Sequence, residues 1–420
     1  MTRNRFLDKA WQKTHLKRIK QRAGNRYTPE LNVDLPIAEI FDGISRTDNF
    51  YILIRKHYGK LNREFNHVSP KYDDKETQKI YQTLQREIFS LSKLLGKLKK
   101  YNTNTIPWLT INQHTQKAKE IIWKFLDKLR EEKKKVEKQN KTDNKHRGRL
   151  SASERLSFDI HHIYETQKEL NYFDELSSST KAKLSNSPFL LLTGMAGTGK
   201  THLLCDIVER RIHGGLPAVL TFGELFTTTK DPFVQIVHQL GVNLNKDQFL
   251  RLLDNAGKQS NCRAVLAVDA LNETTHRNFW KRNLHKVIDE VKKYPNIALV
   301  ASVRSGFEEE VLTRRQRRVF VHEEHRRFQF REWEAVNKFF EEFHLPLPEI
   351  PLLMPEFQNP LFLLLFCKAF QKRARKNSAK KQKQIFRGHE GATYIFESFV
   401  DSVSKRISKQ FDIDLSLIHI

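Results

Sequence analysis

Phe189-Leu190-Leu191-Leu192-Thr193-Gly194-Met195-Ala196-Gly197-Thr198-Gly199-Lys200-Thr201-His202-Leu203-Leu204 decides the reading of this 420-residue chain. The first five residues are an unbroken apolar run with a turn signal behind it, the pattern of a strand buried on both faces. The next eight match G-x-x-x-x-G-K-[ST] without a mismatch. Beyond them Leu203, Leu204, Ile207 and Val208 recur at helical spacing, and the stripe stops at Gly214-Gly215. A strand, a glycine loop and a helix in that order make an anion cradle. Glycines let the backbone curl so that successive N–H groups face phosphate oxygens, and the helix N-terminus adds its dipole. A lysine at position 200 reaches the β- and γ-phosphates, and the Thr201 hydroxyl can ligate Mg²⁺. The candidate nucleotide-binding residues are therefore Gly194, Met195, Ala196, Gly197, Thr198, Gly199, Lys200, Thr201 and the adjoining His202.

Outward from this segment, apolar runs at 218–222, 264–268 and 297–303 alternate with helical stretches, and a fifth strand is expected between Val319 and Phe330. Such alternation implies right-handed crossovers and a parallel sheet, hence an α/β fold. The 264–268 run ends in Asp269, placed to hold the shell of a magnesium ion. Four residues on stands Glu273, either the carboxylate that orients or deprotonates the attacking water or an ordinary helix N-terminal acid. The 297–303 run ends at Arg304, which is either a cation facing the γ-phosphate or a surface arginine. Arg314, Arg315, Arg317 and Arg318 read as a solvated basic turn, with a finger acting in a neighbouring copy as the alternative.

The first third differs in texture. Residues 1–150 hold 35 Lys and Arg against 17 Asp and Glu, a net +18 of the total +25. That excess suits either a polyanion such as nucleic acid or a solvated helical surface. Ile80, Leu84, Ile88, Leu91, Leu95 and Leu98 form one helical stripe. Ile121, Ile122, Phe125, Leu126 and Leu129 form a second, which is expected to dissolve at Lys133-Lys134-Lys135 into a polar linker reaching Arg149. The two stripes suit a helical hairpin or an oligomer contact. Cys205, Cys262 and Cys367 are scattered, which disfavours a zinc site or a disulfide framework and suits a reducing cytoplasm. The most apolar stretch, 360–370, is too short to span a bilayer.

Four segments together resemble the STAND class of signalling NTPases, close to the NACHT group and to the prokaryotic antiviral proteins called AVAST. They are the 194–201 loop, Val268-Asp269-Ala270-Leu271-Asn272-Glu273, Val300-Ala301-Ser302-Val303-Arg304, and Pro355-Glu356-Phe357-Gln358-Asn359-Pro360-Leu361-Phe362-Leu363. A weaker likeness lies in Arg26-Tyr27-Thr28-Pro29-Glu30-Leu31-Asn32. The resemblance implies ATP and ADP as ligands with Mg²⁺, with Lys200 and Thr201 on phosphate and metal and Asp269 on the metal. It also implies Glu273 as catalytic carboxylate, Arg304 as a sensor of the γ-phosphate and Pro360 in the nucleotide pocket. Asn272 departs from the pattern, since many relatives carry an acid there. The implied organisation is a basic helical region over 1–150, a P-loop NTPase core over 151–330, a helical domain over 331–388 and the start of a winged-helix domain over 389–420.

That plan carries further expectations. Such proteins rest as monomers, bind a trigger (a phage protein in the antiviral members) through C-terminal repeats, and oligomerise with ATP to activate an effector. No nuclease cluster is evident in the first 150 residues. Leu415-Ser416-Leu417-Ile418-His419-Ile420 reads as a translated sequencing adapter, the alternative being a native apolar terminus. The expectation is thus a fragment without its sensor repeats. Two other functions compete: a DNA-linked AAA+-like loader gripping DNA with its basic third, and a scaffold with a degenerate site. The intact loop, Asp269 and Glu273 argue against the scaffold, and Asn359-Pro360-Leu361 favours the switch.

Overall fold

The computed structural model describes residues 6–140, 151–328, 330–345, 347 and 355–374. Along the chain come α1 (Lys9–Ala23), α2 (Ile40–Ser45), α3 (Asp48–Asn66), α4 (Lys75–Leu95), α5 (Trp108–Asn140), α6 (Ala152–Ser178) and α7 (Thr180–Asn186). The sheet region follows: β1 (Phe189–Thr193), α8 (Lys200–His213), β2 (Ala218–Phe222), α9 (Pro232–Leu240), α10 (Lys246–Gln259), β3 (Ala264–Asp269), α11 (Phe279–Val291) and β4 (Ile297–Ser302). The described part closes with α12 (Glu308–Val311), α13 (Arg314–Arg317), β5 (Val321–Glu324), α14 (Glu332–Glu342) and α15 (Pro360–Ala374). The region expected to open a winged-helix domain, 389–420, lies outside the described residues.

All five strands are parallel, in the order β2-β3-β4-β1-β5. Their unbroken apolar runs have a simple cause, for both faces are covered. Leu191, Val219, Leu266, Val268, Leu299 and Ala301 point into one core, filled by α9, α10 and α11 through Phe233, Phe249, Trp280 and Leu284. Leu190, Leu192, Leu220, Val265, Ala267, Ala298 and Val300 point into the other, where α1, α2 and α8 supply Ile19, Ile44, Leu204 and Val208. Side chains alternate with period two, so one run such as 264–268 feeds both layers. β5 is different: its residues are partly or fully exposed along their length, as an edge strand allows.

A third core lies outside the sheet. Phe50, Leu61, Leu84, Ile88, Leu91, Ile122, Phe125, Leu126, Ile163 and Phe173 join α3, α4, α5 and α6 into a helical bundle. The two stripes seen in the sequence pack against each other here. The second helix does not dissolve at Lys133, however; α5 runs through Asn140. Lysine is a good helix former and these residues lie on the outer part of α5, so charge alone does not end the helix.

Buried arginines tie bundle to sheet. Arg46, 1% exposed, sends its guanidinium to Ser185 O (2.7 Å), Asn102 O (2.6 Å) and Asn186 Oδ1 (3.1 Å). Arg263, leading into β3, donates to Ile44 O (2.9 Å) and Ser185 O (2.8 Å). Burial lowers the pKa of both groups from the ordinary arginine value, that of Arg263 to about 10. Backbone carbonyl partners make such burial tolerable, although Arg263 Nε is left without one. Among the described residues, no helix is long and apolar enough to cross a membrane.

Candidate functional site

The strands end together at one edge of the sheet, and their exits build the site. Register pairs Leu192 with Ser302, Phe222 with Asp269 and Thr193 with Glu324, so the loop after β1 faces the ends of β3, β4 and β5. Chain connections leaving β1 and β4 run in opposite directions across the sheet. A crevice at the carboxyl ends of such strands is where open α/β sheets bind ligands.

The 194–201 loop owes its shape to its glycines. Gly194, Gly197 and Gly199 have φ of 154°, 75° and 104°. At Gly197 a Cβ would sit 3.0 Å from Leu361 side-chain atoms and 3.3 Å from Asn359 Oδ1. At Gly199, which caps α8, the φ itself excludes most side chains. The loop passes directly into α8, so the helix N-terminus opens at Lys200. Lys200 Nζ lies against Gly194 O (2.6 Å) and Met195 O (2.9 Å). Burial lowers its pKa, with the negative charge of Asp269 opposing the shift.

Thr201 and Asp269 meet. The threonine hydroxyl donates to Asp269 Oδ2 at 2.7 Å. Asp269 is 1% exposed, and its other oxygen accepts from Ser302 Oγ at 2.5 Å. The same serine oxygen accepts the Ala270 amide at 2.7 Å, anchoring a residue whose φ is 54°. A single hydroxyl and a single carboxylate suit Mg²⁺, which takes one or two carboxylates and completes its octahedron with water and phosphate oxygens. Among the described residues, no group of three or more His, Cys, Asp or Glu could hold a metal ion. The donor set at Thr201 and Asp269 therefore fits magnesium bound together with a phosphate ligand, and does not resemble an all-protein metal cage.

Glu273 closes the turn Leu271–Glu273 after β3, and burial raises its pKa from the ordinary glutamate value. Its Oε2 accepts from Arg26 Nη1 at 3.1 Å. Asn272, the departure from the family pattern, accepts the Arg304 backbone N–H at 2.9 Å and so joins the β3 and β4 exits. The Arg304 side chain is exposed beside Phe307, its Cζ 5.5 Å from that ring. Pro360 opens α15, and the Leu361 amide donates to Gly197 O at 3.3 Å, which places the start of α15 on the glycine loop. His202 lies deeper: its Nε2 is 3.2 Å from Asn32 Oδ1 and Tyr27 packs edge-on at 5.0 Å.

Nearly all of these residues border one cavity of about 730 Å³. Ala196, Gly197, Thr198, Gly199, Lys200, Thr201, His202, Asp269, Glu273, Arg304 and Pro360 line it. Gly194 and Met195 shape the loop and are not in the lining. Leu31, Val33, Phe328, Phe339 and Leu364 give the same cavity an apolar wall, continuous with the small core under α14 and α15. The arginines of the 314–318 segment do not reach it; Arg317 instead pairs with Glu309 at 3.0 Å.

Three contributors were given no role by the sequence: Ser302 and Arg26, which lie inside segments that resemble the STAND class, and His325, which lies in none. His325, just past β5, is 2% exposed and lies against the loop, its Cε1 3.5 Å and Nε2 3.6 Å from where a Gly199 Cβ would stand. Burial, with Lys200 nearby, lowers its pKa to about 4 and keeps it neutral. No signal in the chain marks a histidine after a polar edge strand. No protein-family model matches this chain, and no curated protein compared with it shows significant similarity.

Proposed function

We propose that this chain is the nucleotide-dependent switch of a STAND-type P-loop NTPase, binding ATP with magnesium and hydrolysing it slowly. The observation that carries the reading is the convergence in one cavity of the glycine loop, Lys200, the Thr201–Asp269 pair, Glu273 and Arg304. A cavity of about 730 Å³ falls in the size range of small-molecule and cofactor sites. Its polar end suits a triphosphate and its apolar wall a base. In this reading loop amides and Lys200 bind the β- and γ-phosphates, and Arg304 meets the γ-phosphate. Glu273 takes the proton of the attacking water. Thr201 and Asp269 hold the metal, whose charge offsets that of the phosphates. Adenine is taken from the resemblance; the Asn-Lys-x-Asp string at Asn140-Lys141-Thr142-Asp143 comes before the glycine loop, starting at the last residue of α5, and not behind one of the strands that follow the loop.

The contact of Leu361 with the loop supports a switch, because the helical segment opening at Pro360 is then placed to feel the nucleotide. Oligomerisation with ATP, a phage protein as trigger, an antiphage role and a cytoplasmic setting follow from the resemblance. The competing reading is a DNA-linked loader using the basic first third. Equilibrium binding of ATP, ADP and GTP with and without Mg²⁺, followed by turnover with duplex DNA, tests both. A switch binds adenine nucleotides more tightly than GTP and ignores DNA. Strong DNA stimulation, lost at high salt, would move the assignment to a loader.

A further inference from the structure

We propose that Arg26 is a positioning residue for Glu273, pairing with its carboxylate and keeping it in the place and form that a base requires; this rests on the ATPase reading above. Arg26 lies far from Glu273 in sequence and reaches it from outside the sheet. It ends the short turn Gly24–Arg26 that follows α1. Its Nη1 donates to Glu273 Oε2 at 3.1 Å, and its Nη2 lies 3.4 Å from both oxygens of Glu224. Its Cζ sits 5.9 Å from the Phe222 ring, at the end of β2. The remaining guanidinium contacts go to Arg22 O and Ala23 O. One planar fork therefore bridges two carboxylates over an aromatic ring, a task that suits arginine better than lysine.

The backbone that delivers Arg26 is fixed on both sides. Before it, α1 is pinned to the sheet region by Trp11 Nε1 and Arg18 Nη1 on Leu240 O and by the Leu220 amide on His15 Nε2. After it, the Tyr27 hydroxyl donates to Glu209 at 2.6 Å, and Arg210 pairs with Asp34. The 24–35 segment thus lies over the cavity as a strap, with Asn25, Arg26, Leu31 and Asn32 in its wall.

Glu273 needs such a cation. Burial raises its pKa, and Asp269 and Glu224 push the same way. Against them stand Arg26, from the strap, and Lys200, from the loop; Arg304 borders the same cavity from the β4 exit. A base must be ionised to take a proton. Removing Arg26 leaves Glu273 beside two anions, so its titration moves to higher pH. The pair is partly exposed, with side chains 37% and 42% accessible, so its contribution to stability is small and its catalytic signature is the better readout.

The experiment uses the full chain. Carboxyl ¹³C NMR follows Glu273, assigned by its loss in Glu273→Gln, across pH without nucleotide. ATP turnover is measured over the same range. Arg26→Ala is expected to move the Glu273 midpoint and the acid limb of kcat to higher pH together. On that limb kcat falls roughly tenfold per unit of the shift, while KM for ATP stays within about twofold. Arg26→Lys restores part of the shift. Glu224→Gln, which removes an anion and leaves Arg26 to Glu273 alone, moves the midpoint to lower pH. Midpoints unmoved in both Arg26→Ala and Glu224→Gln overturn the proposal, as does a rise in KM with kcat unchanged, which would make Arg26 a nucleotide contact. A wild-type chain that binds no ATP ends the ATPase reading and this one with it. Bound ATP with unmoved midpoints ends this one alone.

Discussion

Ser302→Ala removes one hydroxyl from a fully buried position and should be felt well beyond its size. Ser302 Oγ donates to Asp269 Oδ1 and accepts the Ala270 amide. The first is a charge-assisted bond, worth about 1.5–3 kcal/mol. Losing the second leaves a largely enclosed amide unpaired, at about 1–3 kcal/mol. Relaxation of the turn recovers part of this, so about 3 kcal/mol is expected for the nucleotide-free chain. A cooperative unit of some 150–250 residues shifts by about 2–4 °C per kcal/mol, giving a fall of about 6–12 °C in Tm. The assay is thermal unfolding of wild type, Ser302→Ala, Asp269→Asn and the double variant. Direct contact predicts a coupling of at least about 1 kcal/mol between the two sites. A coupling near zero, or a Ser302→Ala chain that melts like wild type, refutes the claim that this serine holds the Asp269 carboxylate.

Three more expectations concern catalysis, pH and architecture. Glu273→Gln should keep ATP affinity within about threefold while kcat falls at least about 100-fold; wild-type turnover in single-cycle kinetics removes its role as base. His15, His202 and His325 have folded-state pKa values lowered by burial to about 3, 4 and 4, against 6.5 for the ordinary imidazole. The unfolded chain therefore takes up protons first, so their contribution to stability is present above about pH 6.5 and is lost as pH falls towards 4. Each adds at most about 1.4 kcal/mol per pH unit to that decline. Replacing His15 by Gln, which can still accept the Leu220 amide, should flatten the decline in denaturant titrations; an unchanged slope contradicts the assignment. Arg46→Met should destabilise the docking of the bundle on the sheet by about 2–4 kcal/mol, through carbonyls left unpaired, seen as a lower or split melting transition.

How much of this was legible in the sequence depends on where the information lies. Four strands were readable because each is a short apolar run buried on both faces, and β3 and β4 end within a residue of their expected limits. The edge strand Val321–Glu324 could only be bracketed, since half of its residues face solvent and two are glutamates. α1 was not visible as a core element. Its buried row is Trp11, His15, Ile19 and Ala23, an i+4 series in which histidine and alanine break the hydropathy signal. α6 was hidden in the same way by buried Asp159, His162, Thr166 and Glu169: Thr166 bonds back to His162 O within the helix, while Asp159 pairs with Tyr72, His162 with Glu64 and Glu169 with His57 on other parts of the chain.

The site divides similarly. The loop, Asp269 and Glu273 are contiguous with the strands that place them, so local pattern sufficed. Ser302 and His325 enter from other strand ends, which the strand order brings to the loop, and Arg26 enters from the strap that follows α1. Asn272 reads as a missing acid in the sequence and in the fold is the residue that receives the Arg304 amide.

The central claim is that the 194–201 loop binds nucleotide phosphate through Lys200. The most direct test is calorimetric titration of MgATP into wild type and Lys200→Ala, each first shown to be folded. The account predicts saturable binding by the wild type and a loss of at least about 100-fold, or about 2.7 kcal/mol, in the variant. Equal affinity in the two proteins, or no binding by the wild type at millimolar MgATP, would contradict it.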